Sequence, residues 1–212
     1  MRFADIPGQE SAKAAVLGAL AGGRLAHALL LIGPEGTGKL AFALALARRL
    51  FCASPAEDGD CCGVCNDCRK VAAGGHPDVH YVFPYARSHD SKASNDDVRI
   101  AFRDAVRKNP FLTLKQWAAS FDAENKQLVI GVDEARALKR ALSLSSYEGK
   151  GKTIVVWRAD LFNTSAANAL LKLLEEPTDR TTFVLTAENP ADVLPTIHSR
   201  CQKLTFRPVR AE

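Results

Sequence analysis

Apolar residues recur at helical spacing through residues 10–21, ESAKAAVLGALA, and the pattern stops at Gly22-Gly23, which predicts a helix with a C-terminal stop. The rhythm then changes. Residues 26–33, AHALLLIG, form a continuous apolar run bounded by glycine, which predicts a strand buried on both faces of a parallel sheet. The Ala- and Leu-rich segment 40–51, LAFALALARRLF, predicts a helix. At 78–83, DVHYVF predicts a second strand from its β-branched and aromatic content, and the polar stretch 85–96 reads as a loop. Helices are predicted over 98–108 and 114–121, split by the breaker Asn109-Pro110; the pattern gives this insertion, residues 86–127, no purpose.

Between Gly131 and Tyr147, apolar residues at every third or fourth position predict an amphipathic helix. The turn EGKGK leads to a third strand, TIVVW, at 153–157. Residues 163–176 predict a helix with Asn163, Thr164 and Ser165 as N-cap candidates and a stop before Pro177. A fourth strand over 181–187, a short helix near 191–196 and a last strand over 202–206 complete the chain. Strands alternating with helices define an α/β domain with a mainly parallel sheet.

Composition adds limits. The 212 residues are 47% hydrophobic and 25% charged, which fits one sizeable globular domain. The longest apolar run, around residues 41–50, is too short for a bilayer and is broken by Arg48 and Arg49. Asp5 and Glu10 interrupt the N-terminus where a secretory signal needs an apolar core, so the expected compartment is the cytoplasm, with no membrane contact. A net charge of +4 permits contact with nucleic acid but falls short of a dense basic patch.

The candidate chemistry lies in two motifs. Gly33-Pro34-Glu35-Gly36-Thr37-Gly38-Lys39 has P-loop spacing between a predicted strand and a predicted helix. Amides of Gly36, Thr37, Gly38 and Lys39 can face phosphate oxygens, with Gly33 opening the turn, Lys39 adding a cation and the helix start a partial positive charge. The residue after the lysine should be Ser or Thr to hold magnesium, but it is Leu40, so a bound nucleotide or phosphate would lack that ligand. Second, Cys62, Cys65 and Cys68 stand at two-residue gaps, with Cys52 near enough in sequence to be a fourth ligand. That spacing predicts a structural zinc site with a closed shell. Cys61 competes with Cys62 for a place in it; Cys201 lies far along the chain and is left out.

Pro7-Gly8-Gln9, RLAHALL at 24–30, GPEGTGK, the cysteine cluster, ANALLKLLEEP at 167–177 and Ser199-Arg200-Cys201 occur in an order that resembles the bacterial clamp-loader subunits, in particular the delta-prime family of DNA polymerase III. The resemblance spans nearly the whole chain. It implies a RecA-like P-loop AAA+ core over residues 1–212, with parallel sheet, flanking helices and a small zinc module inserted at 52–68. It places Trp157 and Arg158 where motor subunits carry the Walker B Asp-Glu pair, and Glu188 near the usual sensor position. Asp160 is out of register for the metal carboxylate. With Leu40, these departures all fall on magnesium-dependent hydrolysis, so a degenerate ATPase is expected. An alternative acidic pair is Asp133-Glu134, although the residues after it read as helix.

By the same resemblance Arg200 is an arginine finger offered in trans to ATP on a neighbouring subunit. The implied partners are the gamma/tau motor subunits, the delta subunit, and, through the complex, the sliding clamp and primed DNA. A helical lid and a C-terminal collar would follow residue 212, so the chain is expected to be a fragment that is monomeric alone. Two rivals stand beside this reading. One is a hydrolysing gamma/tau motor; the other is a zinc-dependent nucleic-acid-binding module with a vestigial P-loop.

Overall fold

The computed structural model describes residues 1–86, 95–121, 123, 126–178 and 180–209. In chain order the elements are α1 (Glu10–Ala21), β1 (Ala28–Ile32), α2 (Lys39–Phe51), α3 (Asn66–Ala72), β2 (Val79–Val82), α4 (Asn95–Lys108), α5 (Leu114–Ala119), α6 (Val132–Ser143), β3 (Lys152–Val156), α7 (Thr164–Glu175), β4 (Thr181–Ala187), α8 (Pro195–His198) and β5 (Gln202–Thr205). The five strands form one parallel sheet in the order β2-β3-β4-β1-β5.

Alternation along the central strands explains why both faces of this sheet must be covered. Leu29, Leu31, Val155 and Val184 join α2, Phe83, Trp117 and Phe206 in one core. Leu30, Ile154, Val156, Phe183 and Leu185 join Leu138 and Leu142 of α6 and Leu170 and Leu174 of α7 in the other. The α/β, RecA-like arrangement expected from the sequence is thus present, with the P-loop between the central strand β1 and helix α2. Every residue of α2 from Leu40 to Ala47 is buried, and its alanines let it lie close against the sheet.

Two helices differ from expectation. Helix α6 ends at Ser143 rather than running to Tyr147, and Leu144 and Tyr147 are exposed. Lys152 Nζ donates to the carbonyls of Ala141 and Leu144, ending the helix, while Asp78 accepts from the Ser146 hydroxyl and the Tyr147 and Glu148 amides. Two long-range side chains thus capture a segment whose apolar periodicity continues. The short helix expected near 191–196 is instead a 3₁₀ turn, Pro190–Asp192, and then α8. Each begins on a proline, and the residue before a proline is driven extended, so Leu194 breaks what would be one helix. Most of the loop expected over 85–96 lies outside the described residues. Among those described, no helix is long and apolar enough to cross a membrane.

Candidate functional site: phosphate loop, thiol cluster and arginine corner

Strand β1 delivers the chain to Gly33, where a side chain would collide with the Phe206 carbonyl at 2.3 Å. Gly36 and Gly38 take positive φ, 78° and 84°, which only glycine adopts readily. The loop is braced from inside. Thr37 Oγ1 donates to Pro34 O at 2.8 Å, and Gln9 Nε2 donates to Thr37 O at 3.2 Å and to Arg207 O at 2.6 Å. Lys39 is buried, with Nζ 2.6 Å from the carbonyls of both Gly33 and Pro34. Burial lowers its pKa, and neighbouring Arg158 acts in the same direction against Glu188, Asp160 and Glu35.

Leu40 is buried in the core, so no oxygen follows the lysine. Beyond the end of β3, Trp157 is also buried, 5.6 Å from the Phe102 ring. Arg158 adopts a left-handed backbone, φ 65°, unusual for a residue with a side chain. Its amide donates to Thr186 Oγ1, Nε lies 3.1 Å from both Asp160 carboxylate oxygens, and Nη1 reaches Glu188 Oε1 at 2.6 Å. One guanidinium therefore ties together two of the carboxylates whose charge acts on Lys39. Burial raises the Glu188 pKa, and Arg158 opposes the rise.

Asp133 and Glu134 lie elsewhere, in the first turn of α6. Glu134 is buried and ion-paired to Arg99 at 3.0 Å, and it lines a 220 Å³ cavity between β2, α4 and α6 rather than the cleft beside Lys39.

The thiols of Cys52, Cys62, Cys65 and Cys68 converge, all within 4.8 Å of one another. Cys52 and Cys62 sulfurs are 3.6 Å apart, Cys62 and Cys68 4.0 Å. Four sulfurs around a tetrahedral zinc, each bonded at about 2.3 Å, stand roughly 3.8 Å apart, so these residues fit the ion. Amides of Cys62, Cys65 and Cys68 donate to the sulfurs of Cys52, Cys62 and Cys65, an arrangement that favours thiolates. At Cys62 the amides of Val64 and Cys65 bring the thiol down to about 6. The four can hold a metal ion. Cys61 is not among them; it is wholly buried, and burial pushes its thiol up. Cys201 packs in the second core, where burial pushes its thiol up to about 11. Asp67, His76 and Glu148 also gather, but Lys150 and Lys70 already occupy the two carboxylates.

Arg200 follows α8 at the surface. Its Nη1 donates to Thr196 O at 2.9 Å, and its Nη2 lies 2.6 Å from Glu175 at the end of α7. Leu170 and Leu174 of α7 face the core and Leu171 is half-buried against it, leaving Glu175 exposed to meet Arg200. Sequence reasoning quoted Gln9 only within a motif and missed its brace between P-loop and β5. It also missed Glu35, whose carboxylate accepts the Leu114 amide at 2.8 Å. Neither contact has a local sequence signal, because each joins segments far apart in the chain.

A profile of the family described as "DNA polymerase III, delta subunit" matches residues 8–210. DNA polymerase III subunit delta' of Bacillus subtilis is 33% identical over 88% of this chain and 44% of that protein. Its counterpart in Pseudomonas aeruginosa is 35% identical over 85% of this chain and 43% of that protein. DNA polymerase III subunit gamma/tau of Mycobacterium bovis is 30% identical over 97% of this chain and 28% of that protein. The chain spans less than half the length of these curated relatives. A phosphate loop, a thiol cluster directly after its helix and an arginine following α8 thus sit on a sheet whose sequence matches one family almost end to end: the chain belongs to the DNA polymerase III delta subunit family, that of the delta' subunits it resembles.

Proposed function

We propose that the chain is the AAA+ core of a delta-prime subunit in a bacterial clamp loader, working in the cytoplasm and hydrolysing no ATP itself. One observation carries the reading: where a motor needs free carboxylates for a divalent ion, Arg158 bridges Asp160 and Glu188. A guanidinium bound to both repels a cation, and Leu40 offers no ligand on the other side.

In the assembled loader, the gamma/tau motors would burn ATP while this subunit and delta help to open the sliding clamp and place it on primed DNA. Arg200 would act across an interface. A guanidinium set against the γ-phosphate stabilises charge in the transition state, worth roughly 10³–10⁵ in rate where it has been measured. Cys52, Cys62, Cys65 and Cys68 would hold a structural zinc that crosslinks the end of α2 to the start of α3, with no open position for catalysis.

The gamma/tau reading has similarity on its side but lacks the hydroxyl after Lys39. The purified chain with magnesium and ATP separates the two: no turnover above a buffer control is expected, and steady hydrolysis would establish the motor.

A further inference from the structure

Two parts of the sequence left without a purpose, the insertion over 86–127 and Glu134, meet at the outer strand of the sheet. Strand β2 stands at the end of the strand order and pairs with β3 alone. Helix α4 of the insertion covers one face of it, where Phe102 stacks on Phe83 at 3.9 Å. Helix α6 covers the other, where Val82 shares a core with Leu138 and Leu142. Between the two helices lies the 220 Å³ cavity. It touches His80, Tyr81, Val82 and Phe83 in succession, and successive strand residues point to opposite faces, so the cavity runs along the open edge of β2.

That edge is polar. The Thr153 and Trp157 amides donate to the carbonyls of Asp78 and Val82, which turns the backbone groups of these alternate residues toward β3 and those of Tyr81 away from it. His80 Nε2 is buried, and among the described residues it has no hydrogen-bond partner. Buried polar atoms are nearly always paired, so an orphan on a residue that lines a cavity points to a guest. Burial, and then Lys152, Arg103 and Arg99 against Asp78 alone, bring the ring's pKa down to about 4. The ring is therefore neutral at pH 7 and sits in a field dominated by cations, which favours an acceptor or an anion beside it. Arg99 is shared between Glu134 at 3.0 Å and Asp96 at 3.6 Å, while Arg103, about one turn further along α4, stands exposed at the same cavity.

The α6 wall is apolar, made of Ala137, Leu138 and Ala141. An engineered cavity of about 150 Å³ accepts benzene and drug-sized sites start at roughly 300 Å³, so the space suits one ring with a small substituent. We propose that this cavity binds a small organic acid, a single-ring carboxylate whose apolar body lies on Ala137, Leu138 and Ala141 and whose carboxylate accepts from His80 Nε2 and meets Arg103. The site is separate from the phosphate loop and stands independently of the function proposed above.

Calorimetric titration of the chain with sodium benzoate, with the His80 ring signals followed by NMR along the same titration, tests it. Saturable binding is expected, with a dissociation constant of about 1 mM or below, and the His80 signals should move on the same curve. Benzyl alcohol, which keeps the ring and lacks the charge, should bind at least about fivefold more weakly, and Arg103→Ala should weaken benzoate by a similar factor of about five. Ala137→Phe, which fills the cavity, should abolish binding with its far-ultraviolet dichroism unchanged. No saturation up to about 20 mM benzoate would overturn the site. So would binding that leaves the His80 signals unmoved or that persists in a folded Ala137→Phe chain, since benzoate would then sit elsewhere. Equal affinity for benzyl alcohol, or no loss with Arg103→Ala, would overturn the carboxylate assignment. The His80 signals of the parent and the exposed Arg103 position decide the matter even where Ala137→Phe does not fold.

Discussion

Arg158 and Arg200 stand at opposite extremes of what a fold can do with a guanidinium. Arg158 is 11% exposed and bonded to Asp160, itself 4% exposed, and to Glu188. Arg200 is 37% exposed, and its ion pair is with Glu175, 42% exposed. The first has no freedom to act on anything outside the chain. The second meets a partner that water already screens, so exchanging Glu175 for another anion costs little. The comparison teaches that one guanidinium is locked against acids inside this domain while another remains on offer at its rim. The thiol cluster stands between the two, with Cys68 buried and Cys52, Cys62 and Cys65 half-buried, the four sulfurs close to one another.

The largest effect expected from testing this contrast lies at the thiols. Cys65→Ser, or a strong chelator, should remove bound zinc and lower stability by about 4 kcal/mol or more, a fall in Tm of roughly 10 °C. Calorimetry with metal analysis checks it; a chain equally stable without metal would contradict a structural role for the cluster. Arg158→Ala comes next. It leaves the buried Asp160 carboxylate and the half-buried Glu188 without their partner and should cost about 3 kcal/mol in urea unfolding, against less than about 1 kcal/mol for Arg200→Ala. Equal losses would erase the distinction.

A smaller signal comes from pH. Burial raises the Glu188 carboxyl above its ordinary value near 4.5, so the folded state favours its proton. That contribution to stability is fully present below about pH 4.5 and is lost as pH rises through the folded-state value. Urea unfolding of the parent relative to Glu188→Gln should therefore decline across that window, and a flat difference would contradict the burial argument. The smallest effect is at Glu175→Ala, which should change stability by less than about 1 kcal/mol and leave the assembled loader's ATPase within about twofold of normal. A collapse of turnover would mean that Glu175 positions Arg200.

Strands β1, β3 and β4 were legible because burial on both faces leaves short continuous apolar runs such as ALLLI and TIVVW. Helix α2 was legible from its composition, and the thiols from their spacing. The end of α6 was not, since Lys152 and Asp78 reach it through the folded structure and leave no mark in the local pattern. The same holds for the P-loop: Lys39 and the missing hydroxyl at Leu40 could be read directly, but the contacts of Gln9 and Glu35 join segments far apart in sequence. Arg158 was read as the loss of an acid. Its capture of Asp160 and Glu188 depends on the parallel register of β3 and β4, which sets residue 158 beside residue 186.

The central claim is that this subunit contributes catalysis to a neighbour without performing it. The direct measurement is clamp- and DNA-stimulated ATPase of a complete loader reconstituted with Arg200→Ala or with Lys39→Ala in this subunit alone. Turnover should drop at least about fivefold with the first and stay near normal with the second. Normal turnover with Arg200→Ala, or a loss confined to Lys39→Ala, would contradict the account.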